Sequence, residues 1–100
     1  MNLEEFKLSL SDKLTPINLN DLLRALWFEA KGDWNAAHFI AQENSSNEGS
    51  WAHAYLHRKE GDLSNASYCY SRVGRKRPEI SLQQEWDNIV SALLSKSIDK

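Results

Sequence analysis

A Gly-Asp pair occurs twice at the same place in a helical pattern, and this constrains the fold more than anything else in the chain. Glu29-Ala30-Lys31-Gly32-Asp33-Trp34-Asn35-Ala36-Ala37 recurs 29 residues later as Arg58-Lys59-Glu60-Gly61-Asp62-Leu63-Ser64-Asn65-Ala66. Glycine takes the left-handed conformation that ends a helix, and aspartate accepts from the free N–H groups that begin the next. Two copies between apolar-periodic segments predict two helix-turn-helix units in tandem.

The flanking sequence extends this pattern. Leu3, Phe6, Leu10 and Leu14 share a helical face from Leu3 to Leu14, with Asn2 as cap and Thr15-Pro16 as the stop. A second helix begins after Asn18 or Asn20 and carries Leu19, Leu22, Leu23, Leu26, Trp27 and Ala30. Gly32-Asp33 turns it into a third, Trp34 to about Glu43. Residues 44–50 are polar and turn-rich and predict the longest loop. Trp51 to Glu60 and Leu63 to about Val73 form the second unit. Gly74-Arg75-Lys76-Arg77-Pro78 is a basic connector, and a last helix over 79–97 places Leu82, Trp86, Ile89, Val90, Leu93 and Leu94 at core spacing. No segment alternates like a strand. The expectation is one all-α domain over residues 1–100 with six helices: units at about 20–43 and 51–74, flanked by an N-terminal helix and closed over the second unit by a long C-terminal one.

Ala66, Tyr70, Val73 and Pro78, with Ala54 twelve residues before Ala66, stand at the steps favoured by the tetratricopeptide repeat, which the second unit resembles. Ala25, Phe28, Gly32, Trp34 and Ala37 fill comparable places in the first unit, so the likeness spans residues 20–78. It implies a short stack of antiparallel hairpins. The chain departs from the repeat in its 29-residue offset, against about 34, and in carrying Arg24 and His53 where leucine is preferred and His57 where tyrosine is. The run from Trp51-Ala-His-Ala-Tyr-Leu-His-Arg to Glu60-Gly61-Asp62 and Asn65-Ala66 is also similar to the signature of a small bacterial protein family. That likeness implies kinship and no chemistry.

Charge and cysteine content limit the function classes. A net charge of −2 gives no general case for nucleic acid. Residues 1–50 carry eight acids and four bases, and residues 51–100 six acids and eight bases, so an anion-binding surface is expected in the second half. The cluster Arg72, Arg75, Lys76 and Arg77 suits phosphates, but cations also gather at helix C-termini to offset the dipole. One cysteine, Cys69, allows no internal disulfide and fits a reducing compartment. The acidic N-terminus is unlike a signal peptide, and no apolar run spans a bilayer, so a cytoplasmic protein without membrane partners is expected.

Two sets of residues in the second unit carry the functional expectation. In the tetratricopeptide likeness, Trp51, Tyr55, Arg58 and Lys59 line the inner groove, where aromatic faces beside cations would hold a protein or peptide partner or an acidic group. The leading expectation is therefore a non-enzymatic interaction module without cofactor, acting on such a partner or as a homo-oligomer; packing of Trp51 and Tyr55 into the core is the other reading. On the opposite side, His53, His57 and Glu60 share a helical face at half-site spacing for a divalent metal, with Arg72 and Arg75 nearby to complete a ligand site. His38 or Asp62 would add a ligand if the fold brought either close. A metal- or small-ligand-binding protein, with hydrolytic chemistry in view, is the alternative. The same histidines would otherwise serve as packing or polar-network residues. The sequence offers no nucleophile elbow, phosphate loop or zinc-protease motif.

Overall fold

A computed structural model describes residues 1–16 and 19–98 of the chain; Asn18, one of the two expected helix starts, lies outside them. Among the described residues there are six helices and no strand: α1 (Leu3–Ser9), α2 (Asp21–Ala30), α3 (Trp34–Gln42), α4 (Asn47–Glu60), α5 (Leu63–Arg72) and α6 (Leu82–Ile98). The all-α expectation holds. None of these helices is long and apolar enough to cross a membrane.

Local chemistry sets the boundaries. Asn20, Asp33, Ser46 and Asp62 each accept from the backbone N–H three residues on, capping α2, α3, α4 and α5. Gly32 and Gly61 lie at φ 95° and 90°, so both copies of the repeated turn adopt the left-handed conformation that the sequence predicts.

Three expected boundaries change. The N-terminal helix stops at Ser9 rather than Leu14, because Leu14 finds no core and stays 81% exposed. The expected 44–50 loop is mostly helix: Ser46 caps α4, which starts at Asn47. This tight turn requires Gly49, where a Cβ would lie 2.3 Å from the Asn44 carbonyl oxygen. The last helix begins at Leu82 rather than residue 79, with the Ser81 hydroxyl accepting from Gln84 N–H.

α2 packs against α3 and α4 against α5, with α3 also against α4. Buried alanines at 37, 41, 52, 54 and 66 line these seams and permit close approach. α6 differs from expectation. Its stripe of Trp86, Ile89, Val90, Leu93 and Leu94 is wide enough to lie across both α2 and α4, with α1 beside it, instead of closing the second hairpin alone. Phe6, Leu23, Leu26, Trp27, Leu56 and Trp86 meet in the resulting core.

Candidate functional site

α4 carries two polar stripes at the same spacing. Residues 51, 55 and 58 follow the i, i+4, i+7 rule, and so do 53, 57 and 60, but a two-residue offset turns the second stripe about 200° from the first. They face different surroundings.

The first stripe faces the acids of α2 and α6. Glu85 is 1% exposed and accepts from Tyr70 OH at 2.8 and 2.7 Å, Trp51 Nε1 at 3.1 Å and Arg58 at 2.8 Å. Glu29 is 4% exposed and accepts from Tyr55 OH at 3.3 Å and from Lys59. Burial, reinforced by these carboxylates, raises the Tyr55 and Tyr70 hydroxyls far above the usual phenol range, so both act as fixed donors. Arg75 lies 3.9 Å from the ring centre of Trp51 and covers it. The four residues expected to receive an acidic group thus receive one, and it is the chain's own Glu85 or Glu29.

The two carboxylates escaped the sequence reading although their position was visible. Glu29 falls seven residues after Leu22, and Glu85 lies between Leu82 and Ile89, both on apolar stripes. A carboxylate on such a stripe signals a buried acid that needs partners. Which partners it has depends on helix packing.

The second stripe faces α3 and α5. His38 of α3 comes up to it, so that His38 Nε2 lies 2.9 Å from His53 Nε2, which lies 3.2 Å from His57 Nε2. The ligand atoms of the three residues all fall within 4.8 Å of one another. Trp34 aims His38: its indole N–H donates to the Leu56 carbonyl of α4 at 3.0 Å, and its ring stacks on the imidazole at 4.7 Å and 14°. Trp34 therefore reaches across to α4. Glu60 aims His57, with Oε1 2.8 Å from Nδ1. Behind His53, Cys69 Sγ stands 3.9 Å from Nδ1.

The proton count at this cluster does not close for neutral rings. Accepting at Glu60 fixes the His57 proton on Nδ1 and leaves a bare lone pair on Nε2, aimed at His53. If His53 carries its proton on Nε2, that proton serves one of its two neighbours. If it does not, its lone pair faces that of His57. Either way one short nitrogen–nitrogen contact lacks a hydrogen, and a positive charge at the centre removes the conflict. Burial, then the neighbouring His57 and His38, lowers His53 to about 4, with Arg72 adding to the effect. Burial and His57 lower His38 as well, against a smaller opposing pull from Glu60.

The expected sites are thus divided by the fold. His53, His57 and Glu60 come together and gain His38, while Arg75 goes to the opposite stripe. Arg72 stays on the histidine side, near Tyr68. Asp62 is near His57 and Glu60, but its carboxylate is committed to Asn65, accepting from the backbone N–H at 3.3 Å and from Nδ2 at 2.8 Å.

The chain matches no family model, no curated protein and no solved structure.

Proposed function

We propose that this protein binds a divalent transition-metal ion, zinc in the first instance, through His38, His53 and His57. The observation that carries the reading is the convergence of three Nε2 atoms with no proton available for every contact between them. Zinc–imidazole bonds of about 2.0–2.1 Å in tetrahedral geometry put ligand nitrogens about 3.3 Å apart, close to the spacing of both contacts. Glu60 behind His57 supports it further, since a carboxylate on the far nitrogen orients a metal-bound imidazole and raises its basicity. A free, buried Cys69 is compatible with a reducing, cytoplasmic setting for such a site.

An interaction module working through Trp51, Tyr55, Arg58 and Lys59 is less well supported. Those side chains already hold Glu85 of α6 and Glu29 of α2, and a partner would have to displace these acids.

The test is zinc titration of chelator-treated protein by calorimetry, with metal analysis after gel filtration. One zinc per chain is expected for the wild type, with uptake lost in His38→Ala and in His53→Ala. A folded, metal-free protein that takes up no zinc, or variants that bind as the wild type does, would overturn the proposal.

A further inference from the structure

The second inference rests on the metal reading and concerns what the three histidines leave to an outside ligand. Among the described residues, no Cys, Asp or Glu joins His38, His53 and His57 as a fourth member of their group. The side chains best suited to that role are held behind the rings. Cys69 faces the Nδ1 side of His53 and Glu60 the Nδ1 side of His57, whereas the Nε2 atoms of His38 and His57 both come up to that of His53. All three histidines are partly exposed, so water reaches this edge of the α3–α4–α5 seam. Structural zinc sites are closed by four protein ligands; three ligands with an open position are the pattern of hydrolytic sites.

We propose that a water on zinc held by His38, His53 and His57 is a nucleophile toward small activated carboxylic esters. Three neutral imidazoles leave the ion its full positive charge, which lowers the proton affinity of the bound water toward neutrality. The resulting hydroxide oxygen bonds to the acyl carbon, and the tetrahedral adduct collapses by breaking the bond to the leaving oxygen. The products are a carboxylate and an alcohol or phenol; one proton passes to solvent, a second water replaces the carboxylate, and nothing is oxidised or reduced. Glu60 acts through His57 as a positioning residue. Two cavities beside α6, of about 430 and 120 Å³, are lined by other residues and do not involve the histidines. A small activated ester needs only to reach the partly exposed edge of the cluster and to carry a good leaving group.

The experiment follows 4-nitrophenyl acetate hydrolysis by chelator-treated protein with and without one equivalent of zinc across pH 6–10. The zinc-loaded rate is expected to exceed the metal-free rate at least about tenfold and to rise with pH to a plateau, with a midpoint between about 7 and 9. The cobalt-substituted protein should change its visible absorption with its own midpoint in that range. Glu60→Gln keeps a hydrogen-bond acceptor but removes a negative charge near the metal, so it should lower the midpoint; a merely structural Glu60 would leave it in place. Stoichiometric zinc uptake with no gain in rate would overturn this proposal and leave the metal reading standing. Absence of zinc uptake would remove both. A rate that survives chelation would make an imidazole the nucleophile and also overturn the proposal.

Discussion

On one face of α4 every charge has an opposite charge, and on the other three bases face each other. Trp51, Tyr55, Arg58 and Lys59 meet Glu85 and Glu29, two buried carboxylates whose donors come from α4 and α5. His53 and His57 meet His38, with the acid of the group, Glu60, behind a ring and not between rings. A closed network is matched by its own chain and contributes to the fold; three imidazoles that face one another are the place proposed for a cation from outside. The two stripes have the same spacing and similar polarity in sequence. Only their neighbours differ: the first meets its own chain's acids, and the second meets a third imidazole.

Breaking the closed face should cost the most. Arg58→Ala leaves Glu85 buried without its cation and should lower unfolding stability by about 3–5 kcal/mol in urea melts, because an uncompensated buried charge is the expensive outcome. Replacing Arg58 and Glu85 together with apolar residues should recover much of that loss. A full loss in the double variant would mean that Glu85 matters chiefly through Tyr70 and Trp51.

The open face should respond in affinity more than in stability. His38→Ala should weaken zinc binding by at least about 100-fold, beyond the roughly 10–100-fold expected for an outer-shell partner. Glu60→Gln should weaken it by about tenfold, which competition with a chromophoric chelator would resolve. Equal effects from the two would erase the distinction between a ligand and its support.

Acidification sharpens the contrast in the metal-free protein. His53 is held at about 4 when folded, below its ordinary 6.5, so the unfolded chain takes up the proton first. Its contribution is complete above about pH 6.5 and is lost as pH falls toward 4. Stability should drop on the order of 1 kcal/mol between pH 7 and 5, and His53→Asn should flatten that slope. The smallest effect belongs to a pair outside both faces: Lys96→Ala removes an ion pair with Glu48 whose lysine is 64% exposed, and should change stability by less than about 0.5 kcal/mol.

Some of this was legible in local chemistry. The repeated Gly-Asp turns, the capping side chains and the leucine and tryptophan stripes indicate all six helices and place α2, α3 and α5 closely, since hydrogen bonds within a few residues decide helix ends. The turn before α4 reads as a loop because its polarity hides a serine cap and a glycine that permits close packing on Asn44. His53, His57 and Glu60 were recognised as one face from spacing alone, and Trp51, Tyr55, Arg58 and Lys59 as another. The sequence did not reveal that Glu29 and Glu85 would be buried against the second set.

The sequence by itself determined the helical class, the two turns and the division of α4 into opposed stripes, because each depends on contacts within a turn or two of helix. Tertiary structure decided what each stripe meets. α6 lies across α2 and α4 because its apolar stripe is wide enough for both, and this brings Glu85 to Arg58, 27 residues away in the chain. Small alanines let α3 approach α4, and Trp34 fixes the ring that completes the histidine cluster. Side-chain spacing along one helix states which groups travel together; only packing between helices places a third imidazole within 2.9 Å of His53.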